Sequence, residues 1–145
     1  MSVVKNMENE SEIREQISSY NNQIYGCEDD IANIQREIEQ LEELSFKLDQ
    51  LKRTLADSQR TRMLANEKIR GLDFNKKMTR EYCDGTKLLL TGDKYSDAES
   101  GITTAKQKTE EKIAYLRQQL SDRYSQINYC QDMVNDLYNQ LYRME

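Results

Sequence analysis

The sequence predicts an all-α protein, an elongated antiparallel helical hairpin or coiled coil with a short irregular middle segment. Three observations carry this expectation. The 145 residues include no Pro and no Trp, with 37% apolar and 32% charged side chains, so long helices can run unbroken. Ile17, Ile24, Ile31 and Ile38 are each seven apart near one end of the chain. Ile113, Leu120, Ile127, Val134 and Leu141 repeat the same spacing near the other. High charge with low hydrophobicity also describes disordered chains, but those lack such strict periodicity.

The first helix is expected over about residues 9–70, opened by Asn9 and Glu12 at capping-box spacing. Between the isoleucine layers lie Ile13, Tyr20, Cys27, Ile34 and Leu41, which complete a seam of alternating four- and three-residue steps. At Leu41–Leu44 the apolar pattern changes phase. A second register, Leu41, Leu48 and Leu55 with Leu44 and Leu51 between, resembles a stammer that one helix absorbs without breaking. Gly26 costs about 1 kcal/mol against Ala, which the isoleucine layers outweigh. Gly71, after Lys68 and Arg70, reads as the C-terminal cap. A helix of that length, roughly 90 Å at 1.5 Å per residue, encloses no core of its own and must lie against another.

The irregular middle is expected over about 71–95. It holds a short helical stretch from Phe74 to Tyr82, then Gly85, the run Leu88-Leu89-Leu90, and Gly92. Ser96 and Glu99 form a second capping box, so the last helix is placed at about 96–143, with Gly101 marking a fray or kink. Its intermediate layers are Leu116, Cys130 and Leu137, and Arg123 interrupts that row. Two heptad arms joined by a compact middle favour folding back, which could bring Cys27 and Cys130 into neighbouring layers, although the sequence does not fix the register.

Charge limits the choice of partner. Residues 1–50 carry 4 basic and 12 acidic side chains, while residues 51–85 carry 9 basic and 5 acidic. An acidic arm followed by a basic bend lacks the sustained basic face that nucleic acid requires. No run is long enough to span or insert into a bilayer, and the first residues lack the apolar stretch of a signal peptide, so a cytoplasmic location is expected unless another route exports the chain. Cys27, Cys83 and Cys130 show no metal spacing, the chain has no His, and the thiols read as reduced core residues. Without His, a phosphate-binding loop or a nucleophile motif, no catalytic residue, metal or cofactor is expected. The clusters Glu28-Asp29-Asp30 and Glu42-Glu43 read as solvated helix faces.

The aromatic residues point to binding. Nine Tyr stand against two Phe, and five of the nine lie in the last helix. With Ile113, Leu120, Ile127, Val134 and Leu141 at heptad position a, Tyr124 and Tyr138 fall at e and Tyr142 at b. Tyr115 and Tyr129 fall at c, on the other flank. A two-stranded seam needs only a and d. The helix therefore offers amphipathic surface on both flanks, and Tyr buries a large ring while keeping a polar tip. The bland alternative is exposed Tyr decorating a solvated helix.

Two long helices flank a middle that carries Leu90-Thr91-Gly92 and then Tyr95, directly before the last helix. In this layout the chain resembles the small helical partners encoded beside LXG toxins of type VII secretion systems in Gram-positive bacteria. These are distantly similar in plan to WXG-type secreted hairpins, with Leu90 in the Trp position and Gly92 in the Gly position. The resemblance implies a targeting factor or chaperone that docks on the helical N-terminal domain of an LXG toxin, alongside a second small helical protein, and that can be co-exported with it. The Tyr- or Phe-x-x-x-acidic export signal of such systems is not found after Tyr138, and the match Tyr25 to Asp29 lies inside the first helix. The resemblance thus implies the class of partner without its own terminal signal. The expected partner-binding residues are Leu90, Gly92, Tyr95, Tyr115, Tyr124, Tyr129, Tyr138 and Tyr142. The expected hairpin seam is Ile17, Ile24, Ile31, Ile38, Leu48, Ile113, Leu120, Ile127, Val134 and Leu141. The competing reading is a generic homo-oligomeric coiled-coil adaptor.

Overall fold

The computed structural model describes residues 2–72 and 76–144, with side chains from Met7 onward. The fold is an all-α helical hairpin, without strands among the described residues. Helix α1 spans Ser2–Arg70, α2 Lys76–Thr91 and α3 Asp93–Met144. None of them is long and apolar enough to cross a membrane. The chain divides into two compact units, one formed by Met1–Gln40 with Ile113–Glu145, the other by Leu41–Lys112.

In the first unit the heptad seam closes as the spacing dictates. Ile24, Cys27 and Ile31 pack with Ile127 and Cys130, and Tyr20 and Leu120 lie against them. Ile17 packs with Val134, Leu137 and Leu141, flanked by Ile13 and Tyr20. Numbers rise along α1 as they fall along α3, so the pair is antiparallel. Ile34, Ile38, Ile113 and Leu116 are also buried. Each buried aliphatic side chain contributes about 1.5–3 kcal/mol, and these layers are the main stabilising term of the unit. Arg123, which interrupts the apolar row, turns its Nε to Asp30 Oδ2 at 3.0 Å. Its stem stays half-buried while the charge reaches the rim.

In the second unit the expected change of register does not occur. Burial keeps the original register at Leu41, Ser45, Leu48, Leu55, Gln59, Asn66 and Ile69, although Lys52 and Arg62 of that series are exposed, as are Leu44 and Leu51. The a row of α1 is Ile17, Ile24, Ile31, Ile38 in one unit and Ser45, Lys52, Gln59, Asn66 in the other. Side chain-to-backbone hydrogen bonds replace apolar packing at the last two positions. Gln59 Nε2 donates to the Leu90 carbonyl at 2.7 Å, and Asn66 Nδ2 donates to the Cys83 carbonyl at 2.9 Å. The Cys83 thiol returns a bond to the Asn66 carbonyl at 3.4 Å. A polar residue at a buried a position fixes register at some cost in stability, and Asn66 Oδ1 is indeed buried without a hydrogen-bond partner.

The middle of the chain is more ordered than expected. Instead of an irregular segment over 71–95, α2 runs through Gly85 and the three leucines to Thr91. Its inward positions Thr79, Cys83, Thr86 and Leu90 keep heptad spacing, so tertiary packing overrides the weak local propensity of Gly85. Phe74 lies outside the described residues. Gly71 does follow the last residue of α1, and no described glycine has positive φ. The end is closed instead by a tightened turn, with Leu72 N–H bonded to the Ile69 carbonyl at 3.0 Å. Neither capping box marks a helix start. α1 is already helical before Asn9, and Ser96 N–H donates to the Gly92 carbonyl at 3.2 Å, one turn inside α3. α3 also continues through Gly101 without a break.

Gly92 is the single residue between α2 and α3. A Cβ there would stand 2.5 Å from the Leu88 carbonyl oxygen, whereas one at Gly85 would meet nothing within 4 Å. Gly92→Ala should therefore destabilise by about 1–3 kcal/mol through forced backbone movement, and Gly85→Ala should stabilise by about 0.5–1 kcal/mol. Urea melts of the two variants check the contrast. Ile31→Asp or Ile127→Asp should cost at least about 3 kcal/mol, because each loses a packed layer and buries an unpaired carboxylate. Circular dichroism melts should show both with strongly lowered Tm.

Candidate partner-binding surface

The tyrosines of the first unit stand outside its closed seam. Tyr115, Tyr124, Tyr129, Tyr138 and Tyr142 are all exposed, Tyr142 by 81%. They are not equivalent. Tyr129 meets the half-buried Tyr20 edge to face, with ring centroids 6.4 Å apart. Burial first, and then Tyr129, pushes the Tyr20 phenol above its ordinary pKa. Tyr124 is tethered across the helix pair by Gln35 Nε2, which donates to its Oη at 3.4 Å. Tyr115 Oη accepts from Gln119 Nε2 at 2.7 Å on its own helix.

Tyr138 belongs to a concave strip that both helices build. Two adjoining hollows share Asn21 and Tyr25, one continuing to Ile17 and Tyr138, the other to Ile24, Gln131 and Val134. Exposed rings at Tyr25 and Tyr138 rim this strip, and its apolar lining comes from buried seam residues. Tyr25 was not among the expected binding residues, although its b position, one step from Ile24, was a readable signal.

The expected binding residues of the middle segment fall differently. Leu90 is turned inward at 9% exposure and its carbonyl is held by Gln59, so it is a core residue of the second unit rather than a docking residue. Thr91 Oγ1 donates to the Lys87 carbonyl at 2.7 Å, and Gly92 is required by its approach to Leu88. Leu90-Thr91-Gly92 therefore has an internal structural role. Tyr95 is half-buried. The exposed leucines of this run are Leu88 and Leu89, at 71% and 72%. Among the expected seam residues, Leu48 and Leu120 are half-buried and the other eight are fully buried.

No group of three or more His, Cys, Asp or Glu among the described residues is placed to hold a metal ion. All three cysteines are buried free thiols. Burial, and secondarily the neighbouring Cys27, raises the Cys130 thiol pKa, which keeps it protonated and poorly nucleophilic. In comparisons with known proteins, no protein family, curated protein or solved structure matches the chain.

One flank of the second unit is closed by charge. Lys106 Nζ meets Asp49 Oδ1 at 2.6 Å, and Arg70 meets Asp84 at 2.8 Å. The hydrogen bond from Lys106 holds the Asp49 carboxyl below its ordinary range, and the same bond holds Lys106 above its own. A lowered carboxyl pKa adds stability above the unfolded value, and this is lost as pH falls through the folded one. A raised ammonium pKa adds stability that is lost as pH rises through its folded value. The pair should thus contribute fully between about pH 5 and pH 9. Asp49→Asn should lower Tm modestly in that window, with the difference from wild type vanishing near pH 2. Paired thermal melts across pH check it.

Proposed function

We propose that the protein is a non-enzymatic helical binding protein that docks on the helical N-terminal domain of an LXG-type toxin and helps target it to type VII secretion. The observation that carries the binding part is the strip between Tyr25 and Tyr138. A seam already satisfied by two helices still presents, on one flank, two exposed tyrosine rings over hollows that combine the edges of Ile17, Ile24 and Val134 with polar Asn21, Asn22 and Gln131. A third amphipathic helix fits such a strip by placing side chains at i, i+3, i+4 and i+7 along it. Exposed tyrosines supply area at low entropic cost when they become ordered, which is why they concentrate at interfaces. The toxin part rests on the resemblance in layout to LXG-associated proteins. A long apolar seam in an exported toxin needs cover until secretion, and the strip offers it. A second small helical protein would occupy the same assembly.

Coexpression with an LXG N-terminal domain tests the reading. A stoichiometric complex is expected on gel filtration, and Tyr25→Ala with Tyr138→Ala should weaken it at least tenfold while leaving the Tm of the free protein within a few degrees. A chain that ignores the toxin domain would refute the targeting role. Tyrosine variants that unfold like Ile31→Asp would refute a separate interface.

A further inference from the structure

The second unit carries an uncharged row that its own fold leaves largely outside, with Ser58 at its middle half-buried. Leu44, Leu51, Ser58, Ala65 and Leu72 follow one another at seven-residue intervals along α1 and just past its end, on the flank opposite Asp49 and Arg70. The row extends over roughly 40 Å. Leu44, Leu51 and Leu72 are exposed by 44%, 52% and 60%. Of the polar row, Ser45 and Gln59 are half-buried and Asn66 is buried while Lys52 is exposed, so this stretch of α1 turns three polar residues inward and leaves Leu44 and Leu51 in solvent.

α2 extends the same face. Met78, Tyr82, Gly85 and Leu89 follow at spacings of four, three and four, beside the inward row of Cys83 and Leu90. An apolar hollow lined by Ile69, Leu72, Met78, Thr79 and Tyr82 joins this stripe to the Leu72 end of the α1 row. We propose that this face is a homodimer interface, covered by the same face of a second copy of the chain in antiparallel orientation about a two-fold axis at Ser58.

Three features select a second copy. The row is nearly self-complementary in size when reversed: Leu44 meets Leu72, Leu51 meets Ala65, and Ser58 meets Ser58. That is what an isologous contact requires. The centre of the face also carries only one charge, the exposed Arg62, which reversal sets opposite Thr54 of the second copy rather than opposite another charge. Thr54 and Thr61 border it, and the charged neighbours Lys47 and Lys68 lie towards the ends. Lys47 is already paired with Glu43 at 3.1 Å, and reversal brings Lys68 of one copy to the end that holds this pair in the other. Finally, the six large exposed side chains of the face leave on the order of 600–700 Å² open, at about 200 Å² for each fully exposed residue. That exceeds the usual largest apolar patch of a monomer and approaches the roughly 800 Å² per partner of a stable interface.

The inference is independent of the tyrosine strip, which lies in the other unit, and its test separates the two. Sedimentation velocity on the full chain at micromolar concentration should give twice the chain mass. Leu51→Lys with Leu72→Lys should give a monomer of unchanged helicity that still binds whatever the tyrosine strip binds. Under mild oxidation Ser58→Cys should form a disulfide-linked dimer, and Leu44→Cys should not, because reversal carries Leu44 of the two copies to opposite ends. A wild-type monomer at 100 micromolar would overturn the proposal, as would a dimer indifferent to the lysine pair. Linkage through Leu44→Cys as efficient as through Ser58→Cys would overturn the antiparallel arrangement. A monomer that needs Leu51 and Leu72 for toxin-domain binding would assign the face to a foreign helix instead.

Discussion

Everything in this molecule depends on one row of side chains keeping step along a helix. The a positions of α1 never leave the seven-residue repeat, from Ile17 to Asn66. What changes is their chemistry. Four isoleucines give dry layers whose stability comes from removing hydrocarbon from water. Ser45, Gln59 and Asn66, with Lys52 exposed among them, give a seam held partly by hydrogen bonds to the backbone, where the net return per bond is smaller, about 1 kcal/mol. The switch falls between Ile38 and Ser45, where the compact units also divide, between Gln40 and Leu41. α3 makes the corresponding switch, from the layers at Leu116 and Ile113 to Thr109 and Lys106.

This gives the two units different kinds of stability. The first is held by non-directional packing that tolerates a rim of tyrosines because the seam does not need them. The second is specified by directional contacts, Asn66 to Cys83 and Gln59 to Leu90, with ion pairs along one flank. Polar contacts define a unique pairing better than they stabilise it. A unit of that kind keeps apolar side chains free for another surface.

The arms were legible because periodicity over several heptads is a redundant signal. No single substitution hides a row of four isoleucines. Sequence pattern and structure part where hydrophobicity and geometry disagree. Leu44 and Leu51 suggested a new register because apolar residues are normally read as inward, and only the hydrogen bonds of Gln59 and Asn66, invisible in a linear pattern, show that polar residues held the seam. The middle appeared irregular because Gly85, Gly92 and a three-leucine run resemble loop punctuation. In α2 the inward row is Thr79, Cys83, Thr86 and Leu90, too mixed to announce a helix. For the candidate surface, the tyrosine rows followed from heptad arithmetic, whereas pairing Tyr25 with Tyr138 required both helices in place. Motif resemblance points to Leu90 rather than to its exposed neighbours Leu88 and Leu89, and its burial shows how little a three-residue motif says about which side faces out.

The joint at Gly92 has a bearing on how such a chain can change over time. One residue links two helices that both pack on α1, so the link also transmits rotational phase. One added residue there would turn all of α3 by about 100° around its axis, carrying Ile102 and Thr109 off the seam together. Substitutions can accumulate along the arms one at a time, but length is quantised. Insertions survive only as whole heptads matched on both strands, or at the turn between α1 and α2, where no helix carries phase across.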